Sequence, residues 1–455
     1  MESKLAAGAA PIGTSLPREV WRLAWPAMTQ MLLLTTVFLV SRAMIGRHSS
    51  AALASMQISG PLTWSVVAVL TAFSAGTIAV VGRAIGAGDL PGAAAAARAS
   101  LGLGLGVGIA VAIPLTLATG PIAHALFPNA SAAVHSEAAA YIGILAPVLP
   151  VVIAALVAAA SLQAAGDTRS PLAAAVVGNA VNVVLSALLI FGLGGFPRLG
   201  IRGAAIGTAI AFVLEAVILL FVLMSPRSPM PCWAKPCGAD RDALGRVIRV
   251  SWPAFGEKLL YHAGFMGFVA IIGLLGPVAM ASNQALVSIE SICFLSAEGF
   301  GIASGAIMAQ KLGAGRPDDA GRAGLLASGM CILLLTACGL LFAAIPRVLV
   351  AAFTSDPEIV ATGARALYVA AVAQPFMAFA TVMGMGLRGA GDTRTVLAVT
   401  LLCAVGVRLA ATWTFAVTFD LGLVGVWMGS TTDWICRSAL LWLAFSRGRW
   451  RTVRV

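Results

Sequence analysis

Charged residues are what this sequence has least of. Lys, Arg, Asp and Glu make up 10% of its 455 residues, where a soluble domain carries roughly a quarter. With 60% hydrophobic residues, too little polar surface remains to cover a soluble core, and a soluble fold is excluded. Histidine is scarce (4 residues) and the 7 cysteines are scattered. Cys293, Cys331, Cys338, Cys403 and Cys436 lie in apolar stretches, where a thiol packs as a small hydrophobe. Cys232 and Cys237 share a loop but lack the further ligands of a usual metal site, so no metal centre is expected. No nucleophile–base pair stands out, which argues against an enzyme. No Gly-rich loop ending in Lys-Ser/Thr is present, which excludes ATP hydrolysis by a P-loop. Alternation of polar and apolar residues is also missing, which excludes an outer-membrane barrel. The stretch Met1–Arg22 has no compact apolar core followed by a cleavage site and reads as a cytosolic tail.

What is present is a succession of long apolar runs, each near the roughly 20 residues a spanning helix needs. Twelve are expected, at about 23–45, 51–82, 93–118, 137–163, 171–193, 203–225, 248–273, 278–311, 320–345, 360–388, 395–418 and 422–446. The fold class is therefore all-α, a polytopic membrane protein. The net charge of +11 sits in short loops between spans, so topology explains it better than nucleic acid does. Arg83, Arg169, Arg227, Lys235, Arg241, Lys311, Arg316, Arg322 and Arg394 follow the even-numbered spans, and Arg447, Arg449, Arg451 and Arg454 form the tail. By the positive-inside rule both termini are cytosolic in a plasma (inner) membrane. Arg42, Arg47, Arg198 and Arg202 are exceptions that weaken this orientation without reversing it.

The chain also repeats itself. Trp25-Pro26 returns as Trp252-Pro253, and Gly86-Ala87-Gly88 as Gly313-Ala314-Gly315, both at an offset of 227 (252−25, 313−86). Ala165-Gly166-Asp167-Thr168-Arg169 returns as Ala390-Gly391-Asp392-Thr393-Arg394, at 225 (391−166). Gly200, Gly203 and Gly207 return as Gly422, Gly425 and Gly429, at 222 (422−200). Two homologous six-helix bundles follow. Each has an even number of spans, so the copies enter the membrane in the same direction as a parallel repeat. The expected organisation is a tail (1–22), an N-lobe (23–225), a linker (226–247) rich in Pro, Cys and charge, a C-lobe (248–446) and a basic tail (447–455). The Gly-Ala-Gly and Gly-Asp-Thr-Arg repeats read as sharp turns with an Asp capping the next helix.

Ionisable residues inside spans are costly and mark ion or proton pathways unless they only neutralise one another. In the second half they are Glu257, Lys258, His262, Glu290, Glu298, Arg408, Asp433 and Arg437; in the first, Glu215 is the one deep acid. Asp433 and Arg437, four apart on a helix, can pair locally. Glu257 and Glu290 are the expected ion-coupling residues, with Arg408 pairing with one of them. The bland alternative is that these pairings are purely structural. Gln284, Glu298, His262, Asn179, Asn182 and Gln374 are candidates for a substrate cavity, although buried amides also join helices. Met383, Met385, Met428, Phe294, Phe376 and Trp427 either line an apolar pocket or pack.

These landmarks together resemble the multidrug and toxin extrusion (MATE) family. The matching pieces are the Trp-Pro opening of each half, Gln310-Lys311-Leu312-Gly313-Ala314-Gly315-Arg316-Pro317, both Gly-Asp-Thr-Arg turns and the paired Gly-x-x-Gly-x-x-x-Gly runs. The resemblance implies a V-shaped twelve-helix exporter acting by alternating access. It would exchange organic, often cationic, compounds for protons or sodium. No cofactor beyond the coupling ion is implied. The implied partners are small organic molecules and membrane lipid, with no nucleic acid, and the protein would act as a monomer. A flippase or exporter of a lipid-linked or polysaccharide precursor is the alternative, favoured by a larger and more basic central cavity. Where the family often carries Val-Asp-Thr in span one, this chain reads Val40-Ser41-Arg42. Where span five often carries Asn-x-x-Asn-x-x-x-Asp, it reads Asn179, Asn182, Ser186, and the acid of span ten gives way to Gln374-Pro375. Serine does not titrate, so ion coupling is expected in the second half.

The topology carries a direct test. A membrane-impermeant thiol reagent added to intact cells is expected to leave Cys232 and Cys237 unlabelled. Strong labelling from outside would reverse the orientation.

Overall fold

The computed structural model describes residues 15–126, 131–225, 228, 230 and 239–453. Cys232, Cys237, Arg227, Lys235 and Arg454, together with residues 1–14 of the expected tail, lie outside them. Among the described residues every regular element is helical. The first half contains α1 (Leu16–His48), α2 (Ser50–Leu70), α3 (Ala72–Gly86), α4 (Leu90–Leu117), α5 (Thr119–Leu126), α6 (Ala132–Leu145), α7 (Leu149–Ala164), α8 (Arg169–Phe191) and α9 (Ile201–Met224). The second contains α10 (Ala239–Leu274), α11 (Pro277–Gly313), α12 (Pro317–Ala344), α13 (Pro346–Ala351), α14 (Pro357–Gly389), α15 (Thr393–Thr400), α16 (Arg408–Trp413) and α17 (Gly422–Ser446). Eleven helical stretches of this set have the length and hydropathy to cross a membrane. The twelfth of spanning length is α17, with 25 residues and a buried Asp433 and Arg437 within it.

Several spans start earlier or break where the sequence reading ran them straight. The first helix begins at Leu16, inside the stretch expected to be a tail. The second span divides at Thr71 into α2 and α3. The fourth divides at the turn Ala146–Val148, where Pro147 and Pro150 remove two backbone donors. In the second half the corresponding α11 and α14 run unbroken for 37 and 33 residues.

The chain forms two compact units. Unit 1 holds Thr29–Ile248 and unit 2 holds Ala10–Met28 with Arg249–Val455. The first turns of α1 thus belong to unit 2, where Glu19 meets Lys311 at 3.1 Å and Trp21 lies against Phe300. The first turns of α10 belong to unit 1, where Asp240 meets Arg98 at 2.8 Å. The expected lobe starts at 23 and 248 fall a few residues from these crossings.

The duplication extends into local geometry. The short helices α5 and α13 begin at the same offset of 227 (346−119). Gly166 and Gly391 both take φ 88, a left-handed value that favours glycine. Asp167 accepts from Ser170 N at 3.0 Å, and Asp392 caps α15 by accepting from Thr395 N at 3.4 Å. Gly207 packs on Ser186 of α8, and Gly429 packs on Thr412 of α16. The offset is 225 at the start of these spans (394−169) and 226 here (412−186), so span eleven has gained one residue. That residue is absorbed by a π-helical turn, Leu401–Val407, and a second one follows at Thr414–Thr418. The equivalent α8 has no such turn.

Helices α11 and α14 are in close backbone contact where Gly389 faces Gly305; a Cβ on Gly389 would enter the Gly305 carbonyl. Gly389→Ala is expected to destabilise unit 2 by about 1–3 kcal/mol through overpacking. Gly329→Ala, which meets nothing within 4 Å, is expected to leave the thermal midpoint unchanged or raised. Equal midpoints for the two variants would contradict the packing described.

Candidate functional site

A charge in an apolar medium is tolerated when it is paired and hydrogen-bonded. Unit 2 carries four acids along its spans, and three have found bases. Glu257 of α10, 4% exposed, accepts from Arg388 Nε at 2.8 Å and from Arg388 Nη2, while Thr400 Oγ1 donates to it at 3.0 Å. Glu298 of α11 lies 3.8 Å from Lys258. Asp433 of α17, 0% exposed, takes hydrogen bonds from Arg437 Nε and Nη2 at 3.2, 2.8 and 2.7 Å. Arg408 Nη2 adds a further contact to Asp433 at 2.6 Å. The rings of Tyr261 and Trp434 face both guanidinium groups, and Phe268 faces Arg408.

The fourth acid, Glu290 of α11, has no base within ion-pair distance among the described residues. It lies beside Gln374 of α14, and the charge of Arg408 reaches it. Its Oε1 is buried without a hydrogen bond, and so are Gln374 Oε1 and Arg408 Nε. Gln374, 0% exposed, uses its amide N–H on Ala370 O at 3.0 Å, so its orphan atom is an acceptor.

These pairings correct the sequence expectation at Arg408 and add partners it had not assigned. Arg408 joins Asp433, not Glu257 or Glu290, because α16 and α17 pack side by side. Lys258 pairs with Glu298, which lies on a different helix. Glu257 is matched by Arg388, the last residue of the expected span ten, which the sequence reading did not single out. The signal for Arg388 lay in the duplication. Glu257 stands at Gln30 of the first half (257−227), and Arg388 at Gln163 (388−225). Gln163 Nε2 donates to Gln30 Oε1 at 3.4 Å in unit 1. One repeat therefore joins these helices with a neutral amide pair and the other with an ion pair.

The remaining candidates spread out. His262 is half-buried next to Tyr261, and Gln284 is exposed. Asn179 is half-buried in unit 1. Asn182, also in unit 1, donates to Thr208 Oγ1 at 3.0 Å and accepts from Ser41 Oγ at 3.4 Å. At the offset of 226, Asn182 is the counterpart of Arg408 (408−182). Met383 and Trp427 are buried in the unit 2 core. Among the described residues no cluster of three His, Cys, Asp or Glu could hold a metal.

A duplicated helical membrane protein with ion pairs inside its spans, and with Glu290 in unit 2 and Glu215 in unit 1 lacking a base among the described residues, has the character of a secondary transporter. The chain belongs to the MatE family, whose model matches residues 26–188 and 253–414. It is similar to a probable multidrug resistance protein NorM of Thermotoga maritima, with 28% identity over 95% of this chain and 93% of that one. A probable NorM of Pseudomonas aeruginosa is also 28% identical, over 96% and 90%. An uncharacterized transporter YisQ of Bacillus subtilis is 21% identical over 95% and 94%. Among solved structures, the outward-facing conformation of a multidrug resistance MATE family transporter of the MOP superfamily matches with a TM-score of 0.88. It has 20% identity and covers 95% of this chain and 96% of that one, a likeness in fold.

The two repeats suggest their own double mutant. Arg388→Gln leaves Glu257 buried without its cation and is expected to destabilise unit 2 by about 3–5 kcal/mol. Adding Glu257→Gln recreates the amide pair of unit 1, and most of the loss of thermal stability in detergent is expected to return. A double variant no more stable than Arg388→Gln would contradict the pairing.

Proposed function

We propose that the protein is a secondary active exporter of organic, often cationic, compounds, coupled to proton entry through Glu290. The names of its NorM relatives support drug-like substrates. One observation carries the coupling site: Glu290, which lies beside Gln374, keeps its Oε1 buried without a donor, and Gln374 Oε1 is buried without one as well. A proton on Glu290 supplies one, since a protonated carboxyl donates to an amide oxygen. Loss of that proton leaves an anion that a cationic substrate can neutralise. Proton and substrate then compete for one site, with no signal needed over distance. Glu257, held by Arg388, serves as a structural clasp in this reading. Ser41 and Ser186 cannot titrate and play no part in coupling.

The rest of the proposal follows from the duplicated architecture. The units alternate access to the two sides of the inner membrane. The protein acts as a monomer, with both termini cytosolic and no cofactor beyond the coupling ion. His262, Glu298 and Gln284 are the proposed substrate-contacting residues of unit 2, and Asn179 is that of unit 1.

Proteoliposomes with proton and sodium gradients imposed separately test this reading. The proton gradient is expected to drive efflux of a cationic dye such as ethidium. Glu290→Gln is expected to abolish that efflux while the protein still reaches the membrane, and Ser41→Ala with Ser186→Ala is expected to retain it. Efflux driven by sodium alone, or full proton-driven efflux by Glu290→Gln, would overturn the assignment.

A further inference from the structure

The stretch that follows α17 folds back onto unit 2. Gly448 takes φ 70, a left-handed value that ends the helix and turns the chain. A 3-10 turn, Arg449–Arg451, comes next, with Trp450 buried at its centre. The Trp450 indole N–H donates to Phe445 O at 2.9 Å, and its ring stacks on Phe445 with centroids 5.3 Å apart. The same ring rests on Gly321 of α12, where a Cβ would meet it at 3.5 Å. Arg451 lies over the Trp450 ring, 5.4 Å from its centroid, and meets Asp318 of α12 at 3.0 Å. The turn is thus pinned against the start of α12.

This pinning gathers charge. Arg316, Arg322, Arg447, Arg449 and Arg451 are all exposed and lie within five residues of the Trp450–Gly321 contact. Against Asp318 and Asp319 they leave an excess of three positive charges. Asp318 is taken by Arg451, and Asp319 by Arg316 at 2.6 Å. Arg322 reaches Asp319 only at 4.0 Å, with its side chain 76% exposed. Arg447 and Arg449 have no carboxylate within ion-pair distance among the described residues. At the same end of unit 2, Glu19 is held by Lys311 and Asp392 caps α15. Arg322, Arg447 and Arg449 are left for an outside anion.

The surface next to them is apolar. Trp442 and Leu443 of α17 are exposed, and so are Leu325, Leu333 and Leu340 of α12. On a span, such residues face lipid. Arg447 stands five residues beyond Trp442, about 7.5 Å along the axis. Arg322 shares a face with Leu333 and Leu340, which return to its angular position within about 20°. Exposed tryptophan sits at headgroup level in a bilayer. The three arginines therefore lie at the depth of the lipid phosphates.

We propose that the turn anchored by Trp450 is a binding site for an anionic phospholipid. Arg322, Arg447 and Arg449 take the headgroup phosphate, and the acyl chains run along the apolar faces of α12 and α17. Guanidinium suits a phosphate because it donates two hydrogen bonds in one plane. Trp450 sets the arginines in place, so the site depends on a built turn as well as on charge. It is independent of the role proposed for Glu290.

A titration of the full-length protein in neutral detergent with phosphatidylglycerol, read as the rise in thermal midpoint, tests the proposal. Phosphatidylglycerol is expected to raise the wild-type midpoint, and phosphatidylcholine or soluble glycerol phosphate to leave it unchanged. With three juxtamembrane cations removed, the triple variant Arg322→Gln, Arg447→Gln, Arg449→Gln is expected to bind about 100-fold more weakly. Arg347→Gln with Arg365→Gln, at the opposite end of unit 2, is expected to keep wild-type affinity. Trp450→Ala, which keeps every charge, is expected to weaken binding. An equal rise with phosphatidylcholine or glycerol phosphate, or a triple variant with wild-type affinity, would overturn the site. So would a loss at Arg347 and Arg365 as large as that of the triple variant. Wild-type affinity in Trp450→Ala would overturn the built turn and leave charge alone. If Trp450→Ala fails to fold, the arginine variants decide.

Discussion

The interaction on which the rest of unit 2 depends is the neutralisation of charge inside an apolar helix bundle. A carboxylate or guanidinium in the bilayer core costs several kcal/mol unless a partner of opposite sign is at hand. Glu257 with Arg388, Glu298 with Lys258, and Asp433 with Arg437 meet that demand. Each pair crosses between helices or locks one turn to the next, and so fixes the frame around the remaining two groups. Arg408 adds a second cation to Asp433, and Glu290 is the acid left without a base, the group to which the proposed coupling assigns the proton. In a fully matched bundle, proton binding would merely break a pair. Here Glu290 stands without a base, so a proton on it breaks no ion pair.

The duplication shows how such a site arises. Both units share turn geometry, capping aspartates and glycine contacts. They differ where polar residues face inward. Gln30 with Gln163 in one unit corresponds to Glu257 with Arg388 in the other, and Asn182 corresponds to Arg408. Neutral amides glue helices at a modest gain for each contact, whereas ion pairs add charge that can be redistributed. The extra residue in span eleven belongs to the same divergence, since only the charged repeat has the π turns.

Much of this was legible in the sequence. Low charge and the recurring apolar runs defined a polytopic helical protein, and the four repeated landmarks defined two halves. Asp433 with Arg437 was readable from a spacing of four on one helix. The partner of Glu257 was harder to see, because Arg388 ends a span and looks like a loop charge. Aligning the repeats would have revealed it, since Gln30 and Gln163 are both polar residues at matching places. The placement of Arg408 on Asp433 depends on how α16 packs against α17, and no local pattern encodes that. The π turns were hidden for a related reason: the offset between repeats drops from 225 to 222 across this region. A shorter loop before α17 masks the residue gained within the span.

The central claim is that one carboxyl, Glu290, exchanges a proton for substrate. The most direct measurement is proton release on binding a cationic dye to the purified protein in weakly buffered detergent, followed with a pH indicator. The account predicts that wild type releases a proton as the dye binds, and that Glu290→Gln releases none. Release of the same size from Glu290→Gln, at dye saturation confirmed by fluorescence, would contradict it.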